Sequence, residues 1–175
     1  VNVITVCRKA RAFARISRFN VRAEFIGISD RATMLDTMAI SRVVIDDYSH
    51  GEVDLVYLAY PRFVSTMVQR PTMEVLLPIE PATLPRGQVA EYIFEPDPFS
   101  VLNELLPRFV EMEVYHAMLE LIASEQSARM VAMRNASDNA EELIKSLTLS
   151  LNKARQEMIT KEICDISGGA EALTI

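Results

Sequence analysis

The carboxyl-terminal third of the chain is one long helical pattern, and it constrains the fold more than any other feature. From Ser124 to Leu173 the sequence contains no proline, and its only glycines are Gly168 and Gly169. Apolar residues recur there at every seventh position on two tracks. We call these seven residues the heptad seam: Met133, Ala140, Leu147, Ala154, Ile144, Leu151 and Met158. Such a repeat is typical of a helix that lies along another long helix.

The residues before this helix predict one small α/β domain. Half of the 175 residues are apolar, which suffices for a single core plus an extension. We expect the domain to span residues 1–98 and a helical region to span 99–175, with the long helix at about 108–173. A helix of that length measures on the order of 90 Å, whereas a domain of this size is only about 40 Å across. Most of the helix therefore needs cover from elsewhere.

Local patterns place the elements of the domain. Runs rich in β-branched and aromatic residues, or alternating in polarity, predict strands. We expect strands at 1–6, 21–25, 55–60, 73–79 and 92–94, with a further extended stretch near Met67. Helical spacing predicts a helix at 8–17. Pro81, Pro85 and Gly87 indicate a loop.

A second helix is predicted between Asp30 and Gly51. Asp30 is a suitable N-cap, and Gly51 suits the position that follows a helix end. The apolar face expected for this helix comprises Met34, Met38, Ile45 and Tyr48. Farther along the chain, Asp97 is expected to cap a helix whose first residue is Pro98. Pro107 predicts a break or a kink before the long helix.

Composition excludes several classes of function. The formal net charge of −6 argues against a nucleic-acid-binding protein. No apolar run reaches the length of a membrane span, and no signal peptide is evident. Cys7 and Cys164 lie far apart without a CxxC motif, so we expect no disulfide and no metal site, and both residues are interpreted as small apolar side chains.

A basic cluster before the first acid, Glu24, is a local exception to the negative net charge. It predicts either a solvated helix face or contact with an acidic partner. It comprises Arg8, Lys9, Arg11, Arg15, Arg18 and Arg22.

Catalytic machinery is not evident in the sequence. The isolated glycines form no phosphate-binding loop, so we expect no nucleotide or other cofactor. His50 and His116 belong to no nucleophile–base pattern, and both are interpreted as structural or solvated. Polar residues within the long helix either face water or bind a partner that grips the helix from the side. A fixed arginine or glutamine could hold a carboxylate by directed hydrogen bonds.

The longest motifs of the chain resemble the gamma subunit of F-type ATP synthase. The resemblance is carried by residues 124–140, 152–163 and 167–170, and more weakly by 27–31, 66–71 and 95–98. It implies a Rossmann-like α/β domain and a C-terminal helix that forms one half of an antiparallel coiled coil. The family's N-terminal helix and first strand have no counterpart in this sequence. We therefore expect the heptad seam to pack the shaft against that missing gamma helix.

The resemblance also implies a mechanical role. In this family the shaft turns inside a ring of alpha and beta subunits, and its base lies with the epsilon subunit on a ring of c subunits. We expect a noncatalytic rotor subunit of a proton-translocating ATP synthase, peripheral to the cytoplasmic face of the bacterial plasma membrane or an equivalent organelle membrane. Arg129 and Gln156 match the positions that contact a beta subunit, and Thr160 and Asp165 are additional candidates. Thiol regulation is not expected.

Two other functions are compatible with the residues alone. The first is a free coiled-coil adaptor that dimerises through residues 133–158. The second is an α/β enzyme with a helical arm, although its sequence shows no convergent nucleophile, base and anion-binding loop.

Overall fold

The computed structural model describes residues 1–28, 30–80 and 94–172. Its elements are β1 (Asn2–Thr5), α1 (Arg8–Ile16), β2 (Asn20–Glu24), α2 (Met34–Ser49), β3 (Val56–Ser65), β4 (Val68–Leu77) and α3 (Pro98–Ala172). The chain divides into two compact units, Val1–Ala128 and Arg129–Ile175. An α/β region is thus followed by one long helix, which confirms the predicted fold class. The predicted loop at Pro81, Pro85 and Gly87 and residues 92–93 of the predicted last strand lie outside the described residues.

Strands β1 and β2 are parallel neighbours joined by α1, which forms a β–α–β unit. Helix α1 begins at Arg8, and Cys7 is its N-cap, because the Cys7 Sγ accepts a hydrogen bond from the backbone N–H of Ala10 at 3.3 Å. Ala14 is the buried residue of α1. Cys7 and Cys164 are both free and exposed, so neither packs as the small apolar side chain that we expected.

Strands β3 and β4 form an antiparallel hairpin, and here two predictions are wrong. Thr66 and Met67 form the turn of this hairpin and are not an extended stretch. Strand β3 also continues past Pro61 to Ser65. Pro61 lies opposite Pro71 in the ladder, and prolines fit a non-hydrogen-bonded pair because no N–H is needed between the strands there. The strand predicted at 73–79 corresponds to β4, which begins earlier, at Val68, and ends at Leu77, just before Pro78.

Helix α2 begins later than predicted. Its N-cap is Thr33 and not Asp30, because Thr33 and Asp36 form a reciprocal capping box. The Asp36 carboxylate accepts hydrogen bonds from the Thr33 backbone N–H and from its hydroxyl, each at 2.8 Å. These bonds hold the pKa of Asp36 below its usual value, the backbone bond being the larger cause. The helix ends before Gly51 as predicted, and Gly51 has a φ of +70°, a conformation that favours glycine.

The buried face of α2 is shifted from the predicted one. Met34, Met38, Ile45 and Tyr48 are only half-buried, and the buried residues are Thr37, Ile40, Ser41, Val44 and Asp47. Two of the buried residues on this face bond within their own helix. The Thr37 hydroxyl donates to the carbonyl of Met34 at 3.0 Å, and the Ser41 hydroxyl donates to that of Thr37 at 3.2 Å. These local bonds let hydroxyls occupy positions where periodicity alone predicts apolar residues.

Helix α3 begins at Pro98, as predicted. The Asp97 carboxylate caps it by accepting the backbone N–H groups of Phe99 at 3.0 Å and Ser100 at 2.9 Å. Helix α3 continues through Pro107, which lies in its interior, so the predicted interruption is not a break. An interior proline costs about 3 kcal/mol. Burial of Val110 and Val114 immediately after it offsets that cost.

The core lies in the first unit, and three elements supply most of it. Helix α2 contributes Ile40 and Val44, and β4 contributes Leu76 and Leu77. Helix α3 contributes the buried residues Val110, Val114 and Met118, whose four-residue spacing places them on one face. This arrangement fixes the first part of α3 against the α/β elements.

Candidate functional site

The second compact unit presents nearly all of its side chains to solvent. Every residue from Ala132 to Ala170 is exposed. This includes large apolar side chains of the heptad seam, such as Met133 at 66% and Leu147 at 60%. An isolated helix gains no stability from such residues. The second unit therefore presents exposed apolar surface that is suited to binding other helices or subunits.

The heptad seam forms a regular line on this surface. Between Ala140 and Met158 its residues are separated alternately by four and three positions, which is the a/d spacing of a coiled coil. Ala140 and Ala154 are small, so a neighbouring backbone could approach closely at these points. Within the described part of the chain, the seam residues are all exposed.

The four predicted contact residues do not form one site. Gln156 and Thr160 are one turn apart and line a shallow recess together with Lys153, Glu157 and Lys161. Arg129 precedes Gln156 by 27 residues, or about 40 Å of helix rise at 1.5 Å per residue. One small partner loop cannot contact both at once. The four residues therefore predict separate contacts at different heights of the helix.

Asp165 belongs to a different line from Gln156. It follows Ile144, Leu151 and Met158 at the same seven-residue interval. A carboxylate at this position interrupts the apolar track, because it cannot be buried in a seam without a charged or polar partner. The apolar seam consequently ends at Met158. Asp165 and Thr160 are both exposed and remain predictions as contact residues.

Three residues of α3 that hydrogen-bond to the β3–β4 hairpin were missed by the sequence analysis. The Ser124 hydroxyl donates to the carbonyl of Pro61 at 3.0 Å, and the Ser127 hydroxyl donates to that of Thr66 at 2.8 Å. The Glu120 carboxylate accepts the backbone N–H of Phe63. Their spacing of four and three positions gives them one helix face, which is the only sequence signal that could have indicated a common role.

Three residues of the basic cluster near the start of the chain form ion pairs within the first unit. The guanidinium of Arg15 lies 3.2 Å from the Glu24 carboxylate, and Arg11 lies 3.7 Å from it. Arg22 binds both oxygens of Asp47, at 3.2 and 3.0 Å, and also contacts Glu52. These carboxylates raise the pKa of Arg22, and its hydrogen bond to Asp47 is the largest cause. Half of the cluster thus ties α1 and β2 to neighbouring elements.

A second polar group lies on the hairpin. The Tyr60 hydroxyl donates to Glu74 at 2.9 Å, and Arg62 donates to the other oxygen of that carboxylate at 2.6 Å. Burial, followed by the hydrogen bond to Glu74, raises the pKa of Tyr60. The three side chains satisfy one another across the strands, so the group is best explained as a cross-strand brace.

The histidines show no catalytic arrangement. A ring nitrogen of His50 lies 2.7 Å from the carbonyl of Asp46 at the end of α2, and His116 lies 3.7 Å from Glu120 one turn away.

A cavity of about 620 Å³ in the first unit is lined mainly by apolar side chains such as Ile45, Leu77 and Leu106. Among residues 1–28, 30–80 and 94–172, no group of acidic, histidine or cysteine side chains could hold a metal ion. Within the same ranges, no helix has the length and apolar character that crossing a bilayer requires.

Comparison with known sequences relates this chain to ATP synthase. The ATP synthase family model matches residues 1–173. The ATP synthase gamma chain of Dehalococcoides mccartyi strain CBDB1 is 61% identical over 173 residues, which cover 99% of this chain and 61% of the relative. The gamma chain of Roseiflexus sp. strain RS-1 is 50% identical over 173 residues, covering 99% and 60%. The chain thus spans about three fifths of the length of the curated relatives it matches.

Solved structures show the same fold at low sequence identity. The Euglena gracilis mitochondrial ATP synthase, described as OSCP/F1/c-ring, contains a chain that matches with a TM-score of 0.62 and 19% identity, over 98% of this chain and 62% of the other. The central stalk and c-ring structure of the Tetrahymena thermophila mitochondrial enzyme matches with a TM-score of 0.54 and 24% identity, over 73% and 56%. The fold is that of an ATP synthase stalk, and this chain belongs to the ATP synthase gamma-chain family.

Proposed function

We propose that the chain works as part of the rotor in the central stalk of an F1Fo ATP synthase. In this role it transmits rotation, driven by proton flow through the c ring, to the alternating catalytic sites of the alpha and beta subunits. The observation that carries the proposal is the exposure of the second unit from Ala132 to Ala170. A helix that combines a heptad seam with scattered polar residues is suited to contact several neighbours and to carry no chemistry of its own.

The proposed mechanism depends on unequal contacts. A shaft shifts the state of a surrounding subunit only as far as it binds one conformation better than another. Arg129 and Gln156 are proposed to supply such contacts to beta subunits, because a guanidinium and an amide can hold carboxylates by directed hydrogen bonds. Their separation along the helix means that each can be made or broken independently as the shaft turns.

The remaining partners and the location follow from the same proposal. The first unit would lie at the base of the stalk, with the epsilon subunit and the c ring. The complex would be peripheral to the cytoplasmic face of the bacterial plasma membrane or an equivalent organelle membrane. The subunit itself would bind no nucleotide. ATP turnover would instead be carried out by the complex, through the alpha and beta subunits that enclose the shaft.

Substitution of the polar contacts tests the proposal. The chimeric gamma chain for this experiment is the Dehalococcoides mccartyi gamma chain with its matching segment replaced by residues 1–175. Arg129→Ala and Gln156→Ala should each lower ATP-driven proton pumping by about tenfold, because a hydrogen bond to a charged group contributes about 1.5–3 kcal/mol. The amount of assembled complex should stay unchanged. Matched controls are Arg134→Ala and Asn152→Ala, which remove similar exposed side chains of the same helix.

The outcomes separate rotor from scaffold. Pumping by the chimeric gamma chain itself is the first requirement, and failure to assemble with alpha and beta subunits would contradict the proposal. Equal losses for the contact variants and their controls would remove Arg129 and Gln156 from the mechanism. A stable homodimer of the chimeric chain in light scattering would instead favour a coiled-coil adaptor that pairs through the heptad seam.

A further inference from the structure

Helix α3 meets the edge of β3 through a stripe of polar residues, Glu120, Ser124 and Ser127. Ser124 is 3% exposed and Ser127 is 8% exposed, although both are polar. All three residues lie within the first compact unit, close to its end at Ala128. Buried hydroxyls at this position indicate a contact with a specific geometry, because burial of an unsatisfied polar group is unfavourable.

The hairpin supplies matching backbone groups at its outer edge. Pro61 and Pro71 fit a non-hydrogen-bonded pair, so the carbonyl of Pro61 points away from β4. The Ser124 hydroxyl binds this carbonyl at 3.0 Å. Phe63 lies two residues farther along the strand, so its backbone N–H and C=O face the same side as the carbonyl of Pro61. The N–H of Phe63 donates to the Glu120 carboxylate. The stripe therefore occupies the edge where a further strand would otherwise pair.

The turn of the hairpin is held in place around the third contact. The carbonyl of Thr66 accepts the Ser127 hydroxyl at 2.8 Å and also the side-chain amide of Gln69 at 3.1 Å. Ser65 accepts the backbone N–H of Val68 at 3.2 Å across the same turn. Ser127 consequently binds a group whose position is already fixed by the hairpin itself.

We propose that Ser124 and Ser127 are positioning residues that resist rotation of α3 about its own axis. The apolar contacts of Val110, Val114 and Met118 hold the helix in the core, but apolar packing is only weakly directional. Hydrogen bonds weaken steeply when their angles change, so the serine contacts oppose twisting directly. Ser127 lies only two residues before Arg129. The inference rests on the proposed rotor function, because a shaft that twists at this point would transmit less of the rotation.

Single-molecule rotation of the assembled complex tests this inference. A probe is attached through Cys7, which is exposed, after Cys164 and the cysteines outside this segment of the chimeric gamma chain are replaced by serine. The angular variance of the probe is measured while the motor is stalled. Ser124→Ala/Ser127→Ala should increase this variance by about twofold or more, because two directed contacts are lost. Ser137→Ala/Ser146→Ala is the matched control, since both serines lie on exposed positions of α3.

The results distinguish this inference from the proposed rotor function. If the unaltered chimeric complex does not rotate the probe, the rotor function fails. If it rotates and the Ser124→Ala/Ser127→Ala variance equals that of the control, the positioning role is overturned. Ser124→Thr keeps the hydroxyl at this position, so its angular variance should be close to that of the unaltered chain. If the double variant does not assemble, the two single variants are measured, and failure of both to assemble would show folding contacts and also overturn the inference.

Discussion

Substitution of Leu147 by aspartate tests the assignment of the heptad seam most directly. Leu147 is 60% exposed in the described chain. Full burial of a leucine side chain contributes about 1.5–3 kcal/mol, so covering the exposed part would contribute about 1–2 kcal/mol. A carboxylate in the covered seam adds a desolvation cost of at least another 1–2 kcal/mol. We therefore expect Leu147→Asp to destabilise a complete coiled coil by about 3 kcal/mol.

Leu149 offers a matched control only two residues away. It is 73% exposed and lies off both seam tracks, so Leu149→Asp makes the same chemical change on another face. For a protein of this size, 3 kcal/mol lowers Tm by about 6–12 °C. Thermal unfolding of the chimeric gamma chain, followed by helix content, should show this drop for Leu147→Asp and less than about 2 °C for Leu149→Asp. Equal drops in Tm would refute the assignment of the seam, because they would show that the effect of the substitution does not depend on which face of the helix carries it.

Two further predictions concern the first unit of the chimeric gamma chain. Asp36→Asn should lower Tm at neutral pH, because the folded-state pKa of Asp36 lies below its ordinary value. Such a group stabilises the fold above its unfolded pKa and loses that contribution as pH falls through the folded pKa, so the Tm difference should be smaller at an acidic pH where Asp36 is protonated in both states. A Tm difference that is the same at both pH values would contradict this account. Ile40→Ala should lower the free energy of unfolding in urea by about 2–5 kcal/mol, since Ile40 is 4% exposed in the core. Leu35→Ala, at a 78% exposed position of the same helix, should change it by less than about 0.5 kcal/mol, and a similar loss for both would indicate that α2 packs otherwise.

Features encoded by local periodicity were predictable from the sequence. The strands β1 and β2 and the helix between them follow from residue spacing. The cap at Asp97 was also predictable, because its partners are the next residues of the helix. The start of α2 was not, since Asp30 and Thr33 are both good N-caps and only the reciprocal bond with Asp36 selects Thr33.

Features that depend on distant residues were not predictable. The turn at Thr66 and Met67 contains no glycine or proline, so the usual turn signals are missing. Pro61 looked like a strand end, and only its pairing with Pro71 explains why β3 continues. The bonds of Ser124 and Ser127 join residues more than 60 positions apart, and no local pattern encodes such a pairing.

The covered edge of β3 has a consequence for solubility. An open strand edge offers unpaired N–H and C=O groups to any other chain and can seed aggregation. Here the N–H of Phe63 and the carbonyl of Pro61 are occupied by side chains of α3, and a proline cannot donate to an incoming strand. A nascent chain whose helix has not yet docked would lack this protection, so it would be more prone to self-association between hairpin formation and helix docking than after docking.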